Sequence, residues 1–323
     1  MAVYSTSRMI CILGTIFVGL LGLAFGSFLN VCLSRWPQGE SIVLPRSHCL
    51  QCGRTLAWWE NLPLLSWLAL GGRCRTCRAW IGWRYPLVEL AVGALWAVSA
   101  WRFLSMSLDP NATALDLSSG LADAAGRMIF YWLLIALAVL DAEHLWLPDW
   151  LTLPGAALGF ALTLLRARLL SQPASPSRAL IHHGLMNGLM NGAWRPLFTL
   201  AFQWLLGILA AAGLILLIRW LYWLVRRREG IGLGDAKLMA LLAAWLGLPG
   251  ALLAFGMGVV LGALAALVLL ATPSARNQPR THPQSQHWAA TKLPLGTFLS
   301  IGGIVSSLWG QPIIAAYLHW AGF

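Results

Sequence analysis

The sequence predicts an all-α polytopic membrane protein of about eight transmembrane helices with one small cytosolic loop domain, and three observations carry that expectation. Of 323 residues, 59% are hydrophobic and only 10% are charged. Soluble domains carry roughly 25% charged residues, so a soluble fold of this chain lacks the charge to cover its surface. The mean hydropathy is +0.70. The third observation is the 19 Trp, a side chain that collects at bilayer edges, where an apolar ring and an N–H donor both find partners.

The first apolar run, about 9–33, is too long for a signal-peptide core, and no small-residue cleavage site follows it, so it reads as a retained helix. Further spans are expected over 85–103, 127–147, 150–166, 197–218, 236–248, 251–271 and 295–320, on the rule of roughly 20 apolar residues per crossing. The chain then divides into a first helix (1–33), a soluble loop unit (34–84) and a long membrane domain (85–323). Polar, Pro-containing loops are expected at 167–196, where His182 and His183 read as exposed, and at 272–292.

The formal net charge is +11, from 22 Lys+Arg against 11 Asp+Glu. In a soluble protein this balance points to nucleic acid; in a membrane protein basic residues collect in cytosolic loops, and nucleic acid is not an expected partner. With 34–84 in the cytosol, cytosolic segments hold seven (34–84), five (219–237) and three (272–294) Lys/Arg, against seven on the other side. Both termini then lie outside the cytosol.

Four of the six Cys stand in the first loop as Cys49-x-x-Cys52 and Cys74-x-x-Cys77. Each pair can turn both thiolates toward one ion, and the intervening segment is long enough to bring the pairs together. This is zinc-ribbon spacing, and structural Zn²⁺ closed by four thiolates is the expected occupant. An iron–sulfur centre is an alternative, while a disulfide is disfavoured by the reducing cytosol. A loop of this size with few bulky aliphatic residues needs such a staple to fold. Cys11 and Cys32 read as small apolar residues of the first helix.

Acidic residues are scarce, so their positions are informative. Ionisable groups inside spans are costly and mark function. Asp141 lies near the end of the third span, about 9 Å below the cytosolic interface at 1.5 Å per residue. The second candidate, Asp235, follows Gly230, Gly232 and Gly234. The span after it, 236–248, is short, roughly 20 Å, so the Gly-rich segment is expected to dip into the membrane and bring Asp235 to a similar depth. Two carboxylates in one wet pocket suggest aspartic-protease chemistry, in which the pair shares a proton. The alternatives at this point are an Asp paired with Arg or a backbone donor, a packing role for the glycines, and a metal site of Asp141, Glu143 and His144. Asp149 reads as an N-cap for the next span.

These residues resemble the type IV prepilin peptidase family, which also serves type II secretion pseudopilins, over nearly the whole chain. Gly26-Ser27-Phe28-Leu29-Asn30-Val31 is similar to the family's first-helix signature, and the two Cys pairs to its first cytosolic loop. Asn61-Leu62-Pro63, Arg84-Tyr85-Pro86-Leu87-Val88-Glu89-Leu90, Asp141 with Leu147-Pro148-Asp149, and Gly232-Leu233-Gly234-Asp235-Ala236-Lys237-Leu238 follow in order. The resemblance implies a bacterial inner-membrane aspartic endopeptidase with Asp141 and Asp235 as the catalytic pair. Gly232, Gly234 and Lys237 would support the active-site loop, and 85–323 would be the peptidase domain. It further implies substrates that are prepilins and pseudopilins within the bilayer, cleavage of a short basic leader on the cytosolic face, and methylation of the new N-terminus with S-adenosylmethionine. No residue is assigned to that cofactor, although arginines of the first loop suit its carboxylate. Glu89 reads as a pilin contact or as a helix-end polar residue. The sequence departs from the family at Leu293-Pro294-Leu295-Gly296-Thr297, where many relatives have a Pro-Phe-Gly-Pro-like turn.

Presenilin-like proteases share Gly-x-Gly-Asp but have Tyr before the first Asp and a Pro-Ala-Leu motif; here Leu140 precedes Asp141 and Pro-Ala-Leu is absent. A proton-coupled transporter would use the two Asp as a relay, but no inverted repeat is evident. A non-catalytic assembly scaffold is the third alternative.

Overall fold

The computed structural model describes residues 2–109, 111–170, 195–228, 232–271 and 293–322. Gly230, His182, His183 and most of the two expected polar loops lie outside the described residues. The helices are α1 (Ala2–Arg35), α2 (Leu65–Ala69), α3 (Arg84–Ser107), α4 (Ala114–His144), α5 (Asp149–Leu170), α6 (Arg195–Arg226), α7 (Leu233–Ala271) and α8 (Leu295–Trp320). Among the described residues the only β pairing is two isolated bridges, His48 with Thr55 and Arg73 with Trp80.

Six of these helices are long and apolar enough to cross a membrane. The difference from the expected eight lies at α5 and α7. The helix α5 is not among the six: Asp149 at its start and Arg166 and Arg168 near its end shorten its apolar stretch. The break expected between 236–248 and 251–271 is present, since α7 is two helical segments joined at a kink at Gly247, whose backbone (φ 72°, ψ 170°) is not helical. Glycine takes that left-handed φ without steric cost. Pro249 then falls in the first turn after the interruption, where its missing N–H has no helical partner to lose.

The chain forms two compact units, one of Met1–Ala136 with Leu164–Leu197, the other of Leu137–Thr163 with Phe198–Phe323. In the first, α1 crosses α3 at glycines. A Cβ at Gly26 would lie 2.7 Å from Glu89 Cα, and one at Gly22 would lie 2.9 Å from Gly93 Cα. Apolar burial drives little association between helices in lipid, so such close backbone approach supplies the contact. Leu29, Cys32, Leu33, Val88, Val92 and Trp96 are buried along this crossing, while Ile12, Leu13, Ile16, Phe17 and Leu20 of α1 are exposed, as a lipid-facing surface requires. Trp96 donates to Met128 O of α4 (3.0 Å).

In the second unit Trp245 of α7 donates to Gly155 O of α5 (2.9 Å), and Ser306 of α8 donates to Gly250 O of α7 (2.8 Å). These bonds replace water for polar groups that lipid leaves unsolvated. Gly258 receives Leu299 closely, its Cβ position being 3.1 Å from Leu299 Cδ2. The unit thereby brings the end of α4 and the starts of α5, α7 and α8 to one place.

Candidate active site and metal centre

Asp141 occupies the last turn of α4. The helix stops just beyond it, where Leu145 adopts a left-handed φ of 51° and donates its N–H to Asp141 O (2.9 Å). Asp235 sits in the first turn of α7, which begins at Leu233 rather than after the Gly-rich segment. Its carboxylate reaches back to accept the Gly232 N–H (3.3 Å), the arrangement by which an acidic residue at the third helical position caps a helix start. Both side chains are buried, at 6% and 8% residue exposure, and lie close enough for their charges to interact.

Leu147 packs against a glycine beside each of them. A Cβ at Gly234, beside Asp235, would lie 3.1 Å from Leu147 Cδ1, and a Cβ at Gly296 would lie 3.0 Å from the same atom and 2.9 Å from Asp141 Oδ2. Gly234 therefore serves packing next to the carboxylate, and Gly232 supplies the N–H that holds it. Lys237 forms an ion pair with Asp149 in the first turn of α5. Asp149 therefore links α5 to α7 through its side chain, a partner that the N-cap reading lacked.

Gly296 and Thr297 were not read as site residues. The Thr297 N–H donates to Asp141 Oδ2 (2.8 Å), and its hydroxyl donates to Ala138 O (2.9 Å). The sequence signal was the Pro294-Leu295-Gly296 punctuation at a helix start. Glu143 and His144 approach each other at 3.9 Å and are partly exposed, and they join no cluster of three or more ligand groups among the described residues.

That cluster is Cys49, Cys52, Cys74 and Cys77, whose sulfurs all lie within 4.8 Å of one another. Cys49 Sγ and Cys77 Sγ are 3.7 Å apart, far beyond a disulfide bond and close to the edge of a tetrahedron with metal–sulfur bonds of about 2.3 Å. The two knuckles repeat one hydrogen-bond pattern. Cys49 and Cys74 take Arg54 O and Ala79 O through their N–H groups (both 2.9 Å), and Gly53 and Arg78 return N–H bonds to Cys49 O and Cys74 O (2.8 and 3.0 Å). Backbone N–H groups of Cys77 and Thr76 lower the Cys74 thiol to about 6, preparing a thiolate for a cation. The four thiolates can hold a metal ion.

Glu60 braces the first knuckle: it accepts from Arg54 (2.7 Å) and from the Ala57 N–H (2.8 Å). Glu89, buried in α3, accepts the Leu64 N–H (2.8 Å), so the buried carboxylate ties the loop to the helix. Asn30 of α1 donates to Tyr85 O (3.0 Å) across the same crossing.

Two descriptions of known families match this chain: the bacterial peptidase A24 N-terminal domain over residues 20–103, and the type IV leader peptidase family over residues 128–267. The chain is 33% identical to the prepilin leader peptidase/N-methyltransferase of Pseudomonas aeruginosa, over 94% of this chain and 93% of that one. It is 33% identical to the protein of the same name from Stutzerimonas stutzeri, with the same coverage, and 37% identical to that of Myxococcus xanthus over 87% of this chain and 70% of that one. No solved structure matches this chain. The fold and the matches define a multi-pass membrane enzyme. The chain belongs to the type IV leader peptidase family.

Proposed function

We propose that this protein is an aspartic endopeptidase that removes the basic leader from type IV prepilins and type II secretion pseudopilins at the cytosolic face of the bacterial inner membrane, and then N-methylates the new N-terminal residue. The observation that supports this best is the convergence of Asp141 and Asp235, two buried carboxylates within one compact unit. Paired carboxylates that share a proton do complementary work. The charged one takes a proton from water, the water oxygen attacks the scissile carbonyl carbon, and the neutral one donates its proton to the carbonyl oxygen. Collapse of the tetrahedral species breaks the C–N bond, and the proton taken from water passes to the leaving amine. The Asp149–Lys237 pair and the Gly232 N–H hold the Asp235 segment while this happens.

The relatives' names disfavour the transporter and scaffold alternatives and also support the second activity. S-adenosylmethionine would supply an electrophilic methyl group carried on sulfur. Residues of the second knuckle suit it. Arg73, Arg75 and Arg78 are exposed, Arg75 stands over the Trp59 ring (5.2 Å), and the indoles of Trp67, Trp80 and Trp83 contact one another. Guanidinium groups hold a carboxylate, and indole faces attract a cationic sulfur. Cys49, Cys52, Cys74 and Cys77 would hold structural zinc, which would staple the loop 34–84. The excess of Lys and Arg in 34–84, 219–237 and 272–294 supports a cytosolic loop and active site, with both termini outside.

The test is mass spectrometry of full-length prepilins incubated with the purified protein, with and without S-adenosylmethionine. Leader loss in both samples, with the added mass of one methyl only when the cofactor is present, is the expected result. Failure to cleave several prepilins would contradict the proposal and favour a scaffold.

A further inference from the structure

We infer that α2 is an interfacial helix, seated in the edge of the bilayer beside α3, and that its exposed face takes lipid acyl chains. This goes beyond the peptidase reading and does not depend on it. Between Glu60 and Arg73 the chain runs Asn-Leu-Pro-Leu-Leu-Ser-Trp-Leu-Ala-Leu-Gly-Gly without a charge. A stretch of that length is too short to cross a membrane, and suits either a buried core segment or one that enters the bilayer edge and returns. Burial is not its arrangement, since Leu65 and Leu68, neighbours on one face of α2, are 66% and 67% exposed.

The depth of α2 follows from α3. That helix has 24 residues, about 36 Å at 1.5 Å per residue, so it overruns a hydrocarbon core of roughly 30 Å by about 6 Å shared between its ends. Glu89, in the second turn of α3, therefore lies just inside the core boundary, and it accepts the N–H of Leu64, the residue before α2 (2.8 Å). The bond holds α2 at that level, where Trp67 packs on Trp83 with ring centroids 4.5 Å apart. Leu87 and Leu90, on the same stretch of α3, are 60% and 53% exposed, so the apolar face of α2 continues a surface that already meets lipid. The backbone satisfies the same demand. Lipid offers no water to an open N–H, and those of Leu64, Ser66, Leu68, Leu70 and Gly72 are all bonded within the protein, as is the Ser66 hydroxyl. Gly72 in turn accepts the Ile81 N–H (2.7 Å). The turn between them carries Cys74 and Cys77, so this pair is held at the membrane surface, where a substrate seated in the bilayer emerges.

The test places the full-length protein in vesicles of phosphatidylcholine and phosphatidylglycerol, with a small share of a phosphatidylcholine that carries an aryl diazirine on one acyl chain. Illumination joins that chain to the side chains it touches, and mass spectrometry of tryptic peptides locates the adducts. Trypsin releases 55–73 as one fragment, so adducts on α2 are read apart from those on α3. Adducts on Leu65 and Leu68 are expected at a yield within about threefold of that on Leu87 and Leu90. Adducts on Leu87 and Leu90 with none on Leu65 and Leu68 would overturn the proposal, whether the face then proves wet or covered by a second copy of the chain. Adducts on none of the four would overturn it too, since α3 would then offer no lipid-facing surface for α2 to continue. Prepilin cleavage is measured separately on the same vesicles, so failure of the lipid seat and failure of the peptidase reading are distinguishable.

Discussion

Single residues here carry two jobs that a substitution can separate. Asp141 caps α8 besides its proposed role in catalysis, and removing a cap acceptor costs about 0.5–2 kcal/mol. Asp141→Ala is therefore expected to lower the melting temperature of the purified protein, while Asp141→Asn, which keeps an acceptor oxygen, melts near wild type. Equal melting of the two variants would show that the cap contributes nothing. A second contrast lies in the knuckles, where equivalent positions hold Gly53 (φ 69°) and Arg78 (φ 58°). A non-glycine residue in this region costs about 1–2 kcal/mol. Gly53→Ala should speed metal loss to a chelator, and Arg78→Gly should slow it; the reverse order would refute this account of the turns.

At the scale of elements, the braced loop makes a prediction about pH. The Arg54 guanidinium and then the Ala57 N–H hold the Glu60 carboxyl below the usual carboxylate range. A depressed folded value means the stabilisation is fully present above the ordinary value of 4.5 and is lost as pH falls through the lower folded value. Glu60→Gln should therefore melt below wild type at neutral pH, with the gap narrowing progressively below pH 4.5. A gap that does not change with pH would contradict the ion-pair account.

The elements also show what was legible beforehand. Asp141 and Asp235 stood out because charge is rare in apolar spans, and the Cys pairs because their spacing has few other uses. The break within α7 was legible too, since Leu248-Pro249-Gly250 reads as a terminator and the backbone leaves the helix at Gly247. Gly26 was read as part of a motif, but its reason, contact with Glu89 Cα, depends on a helix crossing. Thr297 was invisible because it acts through its backbone N–H, 156 residues from its partner.

For the whole molecule, the metal cluster and the carboxylate pair belong to different compact units. The zinc proposal predicts about one zinc per chain by elemental analysis of the freshly purified protein. The Cys49→Ser/Cys74→Ser double variant should lose it, together with protection of the loop from proteolysis. Metal-free wild type with an intact, protease-resistant loop would contradict the structural role. The carboxylates define the other unit, and their chemistry is the central claim. It is tested most directly by mass spectrometry of a prepilin incubated with wild type, Asp141→Asn and Asp235→Asn side by side. Leader removal by wild type alone is the predicted result, and full cleavage by either variant would contradict it.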